Sequence, residues 1–228
     1  MRKKAKETQA AIKTHKISNF YQKFKSIISK NIDKKNFAIA ISGGADSLCL
    51  AYFSKIYSSE FKNKIHALIV DHRLRKESSK EATNVQNLLK KRKIPSKILS
   101  WKGKVPSKNI QKNARDIRYS LISNYCIKKN IKYLVTAHHA DDQIENFFIR
   151  LFRGSGLTGL SSMSVDSKLN NNLKIIRPFL NFKKADLKYV TLNYFKTYIK
   201  DPSNSNEKFL RVRNRKNKKN TRKKEKVI

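Results

Sequence analysis

The hexapeptide Ser42-Gly43-Gly44-Ala45-Asp46-Ser47 is the segment best equipped for chemistry. It lies between a short apolar run, Phe37 to Ile41, and a stretch in which Leu48, Ala51, Tyr52 and Ile56 recur at helical spacing. The order strand, tight turn, helix start makes successive backbone N–H groups and the helix dipole converge on one spot, where an anion such as pyrophosphate fits. Two glycines leave room for phosphates, Ser42 and Ser47 offer hydroxyl donors, and Asp46 is placed to hold a Mg²⁺ that offsets phosphate charge. A plain tight turn with a helix cap is the alternative. The pattern is neither the glycine-rich dinucleotide fingerprint nor a Walker-type loop.

Further charged groups fall where a ligand in that turn could meet them. Asp46 and Asp142 each follow an apolar strand-like run, so two carboxylates could share one metal, whereas Asp141 reads as the cap of the helix it opens. Capping alone would also explain an acidic pair there. His138 and His139 diverge, one packing and one touching nucleotide, and the sequence does not apportion them. His72 is a rim residue or simply a hydrogen-bonded histidine. Gln111, Arg115 and Arg118 lie at i, i+4 and i+7 on one polar stripe, and the planar fork of Arg suits phosphate. The alternative is a solvated face with ion pairing to Asp116. Arg150, Arg153 and Gly154-Ser155-Gly156 form a basic helix end running into a loop suited to RNA, and Arg211 and Arg213 would face one side of an extended segment and clamp phosphate. Trp101 and the phenylalanines of 147 to 152 read as core.

The elements that must position these residues alternate. Strands are expected at 37–41, 65–70, 97–101 and 132–136, with a weaker one near 173–177. Helices are expected at 17–28, from Leu48, at 77–92, 108–129, after Asp142 and at 183–195, with a Ser- and Asn-rich loop past Gly159. Alternation of this kind predicts an α/β fold, a doubly wound parallel sheet with helices on both faces, which binds ligands at the carboxyl ends of its strands. Residues 1–30 read as a basic leader that frays plus a first helix, 31–210 as the main domain, and 211–228 as a disordered tail with ten Lys or Arg in eighteen residues.

Composition sets the outer limits. The 228 residues carry 53 Lys or Arg against 16 Asp or Glu, a net charge of +37, while 39% apolar and 10% aromatic residues suffice for a core. A polyanionic partner, nucleic acid ahead of membrane, is the natural reading of that charge, although 40 of the 53 cations are Lys and base bias contributes. No window approaches the roughly 18 apolar residues of a membrane span, and no signal or transit pattern opens the chain, so a cytoplasmic protein is expected. Cys49 and Cys126 are isolated in apolar segments and read as buried thiols, with no disulfide framework or zinc site.

The Ser42–Ser47 loop resembles the SGGxDS loop of the PP-loop ATP pyrophosphatases, which cleave ATP between the α- and β-phosphates and adenylate a substrate oxygen. In order after it come Val70-Asp71-His72-Arg73-Leu74-Arg75; Gln111, Ala114-Arg115 and Arg118-Tyr119; Thr136 to Glu145; Arg150 to Gly156 with Gly159-Leu160; Arg177-Pro178; and Asp201-Pro202-Ser203-Asn204. Together, over residues 37 to 215, these resemble the tRNA(Ile)-lysidine synthetases. The resemblance implies ATP and Mg²⁺, with Ser42, Gly43, Gly44, Ala45, Asp46 and Ser47 holding nucleotide, Asp46, Asp142 and Arg115 in catalysis, and Arg118, Arg153, Arg211 and Arg213 on phosphate. It further implies that the wobble cytidine of a CAU-anticodon tRNA(Ile) is adenylated at O2 and then attacked by L-lysine. Such proteins generally continue into tRNA-selecting domains, whereas here Asn214 leads into a Lys- and Asn-rich tail, and Glu145-Asn146 stands where Glu-Thr is common. The resemblance thus allows a minimal enzyme whose tail acts as a tRNA arm, each phosphate contact adding roughly one unit of log salt slope, or an impaired product. Two other readings stay open: another PP-loop tRNA modifier such as a thiolase, for which paired cysteines are wanting, and an RNA-binding module without catalysis.

Overall fold

The computed structural model describes residues 2–75, 77–103, 110–152, 154 and 162–199, without the side chains of 2–14, 110 and 111. The strands are β1 (Phe37–Ile41), β2 (Ile65–Asp71), β3 (Ser96–Ser100), β4 (Tyr133–Val135), β5 (Asp166–Asn170) and β6 (Leu173–Ile176). The helices are α1 (Arg2–Asn31), α2 (Ala45–Phe61), α3 (Ser78–Lys91), α4 (Ile110–Lys128), α5 (Ala140–Phe152) and α6 (Lys184–Tyr194). The strands form one sheet in the order β3-β2-β1-β4-β6-β5, parallel throughout except for β5, which pairs antiparallel with β6.

The doubly wound arrangement follows from β1. Phe37, Ile39 and Ile41 point to one face and join a core with Phe24 of α1, Leu48 and Phe53 of α2, Val85 of α3 and Val190 of α6. Ala38 points to the other face, where Ile122 and Cys126 of α4 cover Leu68, Leu134 and Ile175. Both cysteines are buried and free, as their apolar surroundings suggested. Because β1 is central, the turn that follows it lies at the point where the order of connection reverses, with β2 on one side and β4 on the other.

Three expectations are corrected. The first helix is longer than expected: α1 begins at Arg2 and not near Ile17, since Ala, Lys, Glu and Gln there are good helix formers, and Tyr21, Phe24 and Ile28 tie the helix into the main core. Residues 166–170, read as loop, form β5, a polar edge strand held by Lys174–Asp166 at 2.7 Å and lacking the apolar run of the inner strands. The phenylalanines of α5 are not core. Ile144, Phe147, Phe148, Leu151 and Phe152 share one stripe that faces outward, with Phe152 68% exposed, and only Ile149 of that helix is buried. We therefore expect Phe152→Ser to change unfolding free energy by no more than about 0.5 kcal/mol in urea titrations, where a core phenylalanine would cost about 3 kcal/mol or more.

Candidate active site

The turn after β1 is shaped by its own atoms. Gly43 has φ +84°, and its carbonyl accepts the N–H of Ile199 at 2.9 Å, so the segment beyond α6 braces the turn from outside. Gly44 caps α2 with extended backbone and no side-chain hydrogen bond, leaving the first turn of the helix without a side-chain acceptor. Thr191 of α6 donates to the Ala45 carbonyl at 2.6 Å and fixes the helix start. Ser47 is buried and stitches the loop: its hydroxyl donates to the Gly44 carbonyl at 3.0 Å, while Ser42 N–H and Oγ approach its oxygen at 3.2 and 3.3 Å. The hydroxyls foreseen as ligand donors thus organise the loop, and the backbone N–H groups remain for an anion.

Opposite the loop stands the N-terminus of α5. His139 is 2% exposed, with Nε2 3.4 Å from Asp46 Oδ2 and Nδ1 3.6 Å from Asp142 Oδ2. Asp142 Oδ2 accepts the His139 N–H at 3.1 Å, and His139 Nδ1 faces the Asp142 N–H at 3.4 Å, a reciprocal cap in which histidine takes the usual place of serine. The cap expected of Asp141 is therefore supplied by Asp142. Asp141 instead accepts the Lys184 N–H at 3.1 Å and anchors α6. Burial opposes protonation of His139, yet the Asp46 hydrogen bond and the Asp142 and Asp46 charges outweigh it and hold the imidazole above its ordinary range. His138 goes the other way, to about 4, through burial and the Arg177 and Arg115 cations, with Asp142 opposing; its Nδ1 lies 2.9 Å from Thr136 Oγ1. The tandem histidines are thereby apportioned: His139 links the acids, and His138 is a neutral group in the cleft.

These elements enclose a cleft of about 780 Å³. Of the residues expected at the site, Ser42, Gly44, Asp46, Ser47, Arg115, Arg118 and Asp142 all line it, as do His72, His138 and Arg150. Arg115 stacks on Tyr119 and reaches its hydroxyl at 3.5 Å, with no ion pair to Asp116 among the described residues. The side chain of Gln111, and Arg153, Ser155, Gly156, Gly159, Asp201–Asn204, Arg211 and Arg213, lie outside the described residues. Sequence reasoning missed Arg177 as a site residue. It follows β6 directly, is 9% exposed and lines the cleft, and its position at a strand's carboxyl end was the available signal.

Asp71, at the end of β2, proves to be a structural acid. It is 3% exposed and accepts hydrogen bonds from Ser78 and Ser79, both at 2.6 Å, and from the Arg73 N–H at 3.1 Å. It thereby holds the start of α3 and the turn carrying Arg75, which lines the cleft and pairs with Glu81 at 3.1 Å. His72 Nδ1 likewise accepts the Leu74 N–H at 3.1 Å, a satisfied histidine. Burial raises the Asp71 carboxyl pKa, but the serine and backbone hydrogen bonds and the Arg73 charge prevail and hold it below the usual carboxylate range. A depressed native pKa gives stability that is complete above the unfolded value near 4 and lost as pH falls through the native one. Asp71→Asn should therefore cost about 1–3 kcal/mol at pH 7 and flatten the acid limb of a urea-stability profile. An unchanged limb would assign the acid sensitivity elsewhere.

A glycine turn leaving the central strand of a doubly wound sheet, with a helix N-terminus free of side-chain caps, an acid beside it and arginines facing it, defines a nucleotide-binding α/β protein. The chain belongs to the PP-loop domain family, whose model matches residues 14–220. It is 44% identical over 180 residues to the tRNA(Ile)-lysidine synthase of Orientia tsutsugamushi, covering 79% of this chain and 40% of that protein. It is 42% identical over 195 residues to the tRNA(Ile)-lysidine synthase of Wolbachia pipientis, covering 83% and 44%. The chain thus spans somewhat less than half the length of these relatives. Among solved structures, the U34-tRNA thiolase NcsA of Methanococcus maripaludis superposes with a TM-score of 0.72 at 18% identity, over 83% of this chain and 67% of that one, a likeness of fold. Among the described residues no helix is long and apolar enough to cross a membrane.

Proposed function

We propose that the protein is an ATP-dependent tRNA-modifying ligase that joins L-lysine to C2 of the wobble cytidine of CAU-anticodon tRNA(Ile). The observation that carries this reading is the 44% identity over 180 residues, 79% of this chain, to a tRNA(Ile)-lysidine synthase. In the first step the cytidine O2 forms a bond to the α-phosphorus of ATP and the bond to the β-phosphate oxygen breaks, releasing pyrophosphate. In the second the lysine amine bonds to C2, the C2–O bond breaks, AMP departs with that oxygen, and the amine sheds a proton.

The residues suit these demands. Backbone N–H groups at the start of α2 and the Arg115 guanidinium receive the charge that develops as pyrophosphate leaves. Asp46 Oδ1 is buried with no hydrogen-bond partner, an unsatisfied hard oxygen beside the loop that fits Mg²⁺. Among the described residues no cluster of three or more acidic, histidine or cysteine side chains forms a metal site, in keeping with an ion that takes one or two carboxylates, Asp46 with Asp142, and completes its shell from phosphate and water. When bound, Mg²⁺ would neutralise phosphate charge and orient the triphosphate. His139 holds Asp46 and Asp142 in fixed relation. Arg118 and, beyond the described residues, Arg153, Arg211 and Arg213 are assigned to RNA phosphate, consistent with the +37 charge. We place the reaction in the cytoplasm.

The test is incorporation of radiolabelled lysine into tRNA(Ile) bearing CAU, with ATP and Mg²⁺. Label should enter this tRNA, a sulfur donor should not replace lysine, and a methionine tRNA with the same anticodon should compete poorly if selection resides in this chain. RNA retention on filters without incorporation would favour a binding module instead.

A further inference from the structure

Three consecutive carbonyls of the turn after β1 accept hydrogen bonds from side chains or from distant backbone. Gly43 O accepts the Ile199 N–H at 2.9 Å, Gly44 O the Ser47 hydroxyl at 3.0 Å, and Ala45 O the Thr191 hydroxyl at 2.6 Å. Within a trans peptide the C=O of one residue and the N–H of the next point in opposite directions, so each bond to a carbonyl also fixes the N–H that follows it. The N–H groups set in this way belong to Gly44, Ala45 and Asp46. Two of the three fixing groups, Thr191 and Ile199, come from α6 and the segment after it.

The hydroxyl of Thr191 is not needed to attach α6. Leu187, Val190 and Phe195 already hold that helix in the main core, and Tyr194 stacks on Tyr52 with ring centroids 3.9 Å apart. Thr191 is fully buried, outside the cleft, and a valine would fill the same space. A threonine inside a helix commonly returns its hydroxyl to the carbonyl four residues earlier; here the hydroxyl crosses instead to Ala45, 146 positions away. It is spent on the first peptide of α2, where a helix has no ladder of its own to hold its N–H groups. Ile199 does the same for the glycine with φ +84°, the peptide freest to rotate.

We propose that Thr191 and Ile199 are positioning residues for ATP, which hold the Ala45 and Gly43 carbonyls and so keep the Asp46 and Gly44 N–H groups turned toward the phosphates. Neither needs to touch the nucleotide through a polar side-chain group; their effect is to remove the cost of ordering the donors when ATP arrives. The inference rests on the reading of this turn as an ATP site, and the test separates the two. ATP with Mg²⁺ is titrated calorimetrically into the full chain, with tRNA retention and urea unfolding measured in parallel. Thr191→Val, which removes only the donor, should weaken ATP binding about tenfold, and Thr191→Ser, which restores it, should return affinity to within about threefold of the wild type. Ile199→Pro, which lacks the N–H, should weaken ATP about tenfold, whereas Ile199→Ala, which keeps it, should stay within about threefold. Retention of tRNA should not move in any of the four. Should Thr191→Val fail to fold, the Ile199 pair decides alone. Unchanged ATP affinity in Thr191→Val and Ile199→Pro overturns the brace while leaving the ligase reading standing. Equal losses in Thr191→Val and Thr191→Ser, or equal losses for ATP and tRNA, also overturn it, since packing rather than the donor would then be responsible. Failure of the wild type to bind ATP overturns the ligase reading and this inference with it.

Discussion

Replacing Asp46 with Ala should lower lysine incorporation by about a thousandfold or more, about 4 kcal/mol of transition-state stabilisation, while leaving tRNA retention nearly unchanged. The expectation comes from the two oxygens of this carboxylate. Oδ2 faces His139 Nε2 at 3.4 Å and the buried Oδ1 has no hydrogen-bond partner, so the fold draws little from Oδ1. An acid kept unsatisfied in the interior is a group awaiting a cation. Asp46→Asn separates the metal from the histidine: the amide can still meet the imidazole but is a much poorer Mg²⁺ ligand, and it should be nearly as inactive as Ala. Substantial activity in either variant, measured as label in tRNA at saturating ATP, would remove Asp46 from the metal assignment.

The two glycines should fail in different ways. At Gly43 an added Cβ would lie 2.5 Å from Val85 Cγ2 and 3.2 Å from Ile199 Cδ1, on a backbone with φ +84°. Val85 is buried in the core and cannot retreat. Gly43→Ala should thus cost about 2–4 kcal/mol of stability from left-handed strain and overpacking together, and should also displace the Ile199 segment from the turn. At Gly44 the nearest atom to an added Cβ is Ser42 Oγ at 3.6 Å, an ordinary contact, and φ is −67°. Gly44→Ala should fold with near-normal stability and lose nucleotide affinity, because the methyl group occupies the cleft that Gly44 lines. Paired urea unfolding and ATP titration distinguish the two. If both variants lose stability equally, the division between a conformational and a spatial glycine is wrong.

Most of the sheet was legible because buried parallel strands are written as short apolar runs, and β1, β2, β3 and β4 lie within a residue or two of their expected places. β5 was not, because an edge strand such as Asp166–Asn170 needs only one neighbour and carries polar side chains. The stripe on α5 shows the limit of helical periodicity. Spacing reports that Phe147, Phe148 and Phe152 share a face, and it is silent on whether anything covers that face. At the site, the loop and Asp142 were visible through their position after strands. The cap of α5 falls to Asp142 and not to Asp141 because capping depends on which carboxylate can turn back to the His139 N–H, a matter of one residue's direction around the helix. Ile199 bracing Gly43 had no sequence signal, since a backbone hydrogen bond across 156 positions leaves no mark on residue type.

The central claim is that the turn between β1 and α2 holds a triphosphate so that its α-phosphorus passes to the pyrimidine oxygen. An anticodon stem-loop carrying ¹⁸O at O2 of the wobble cytidine tests it in one step. With ATP, Mg²⁺ and lysine, the heavy oxygen should be recovered in AMP by mass spectrometry, with pyrophosphate as the other product. Release of ADP and phosphate, or AMP containing only ordinary oxygen, would contradict it.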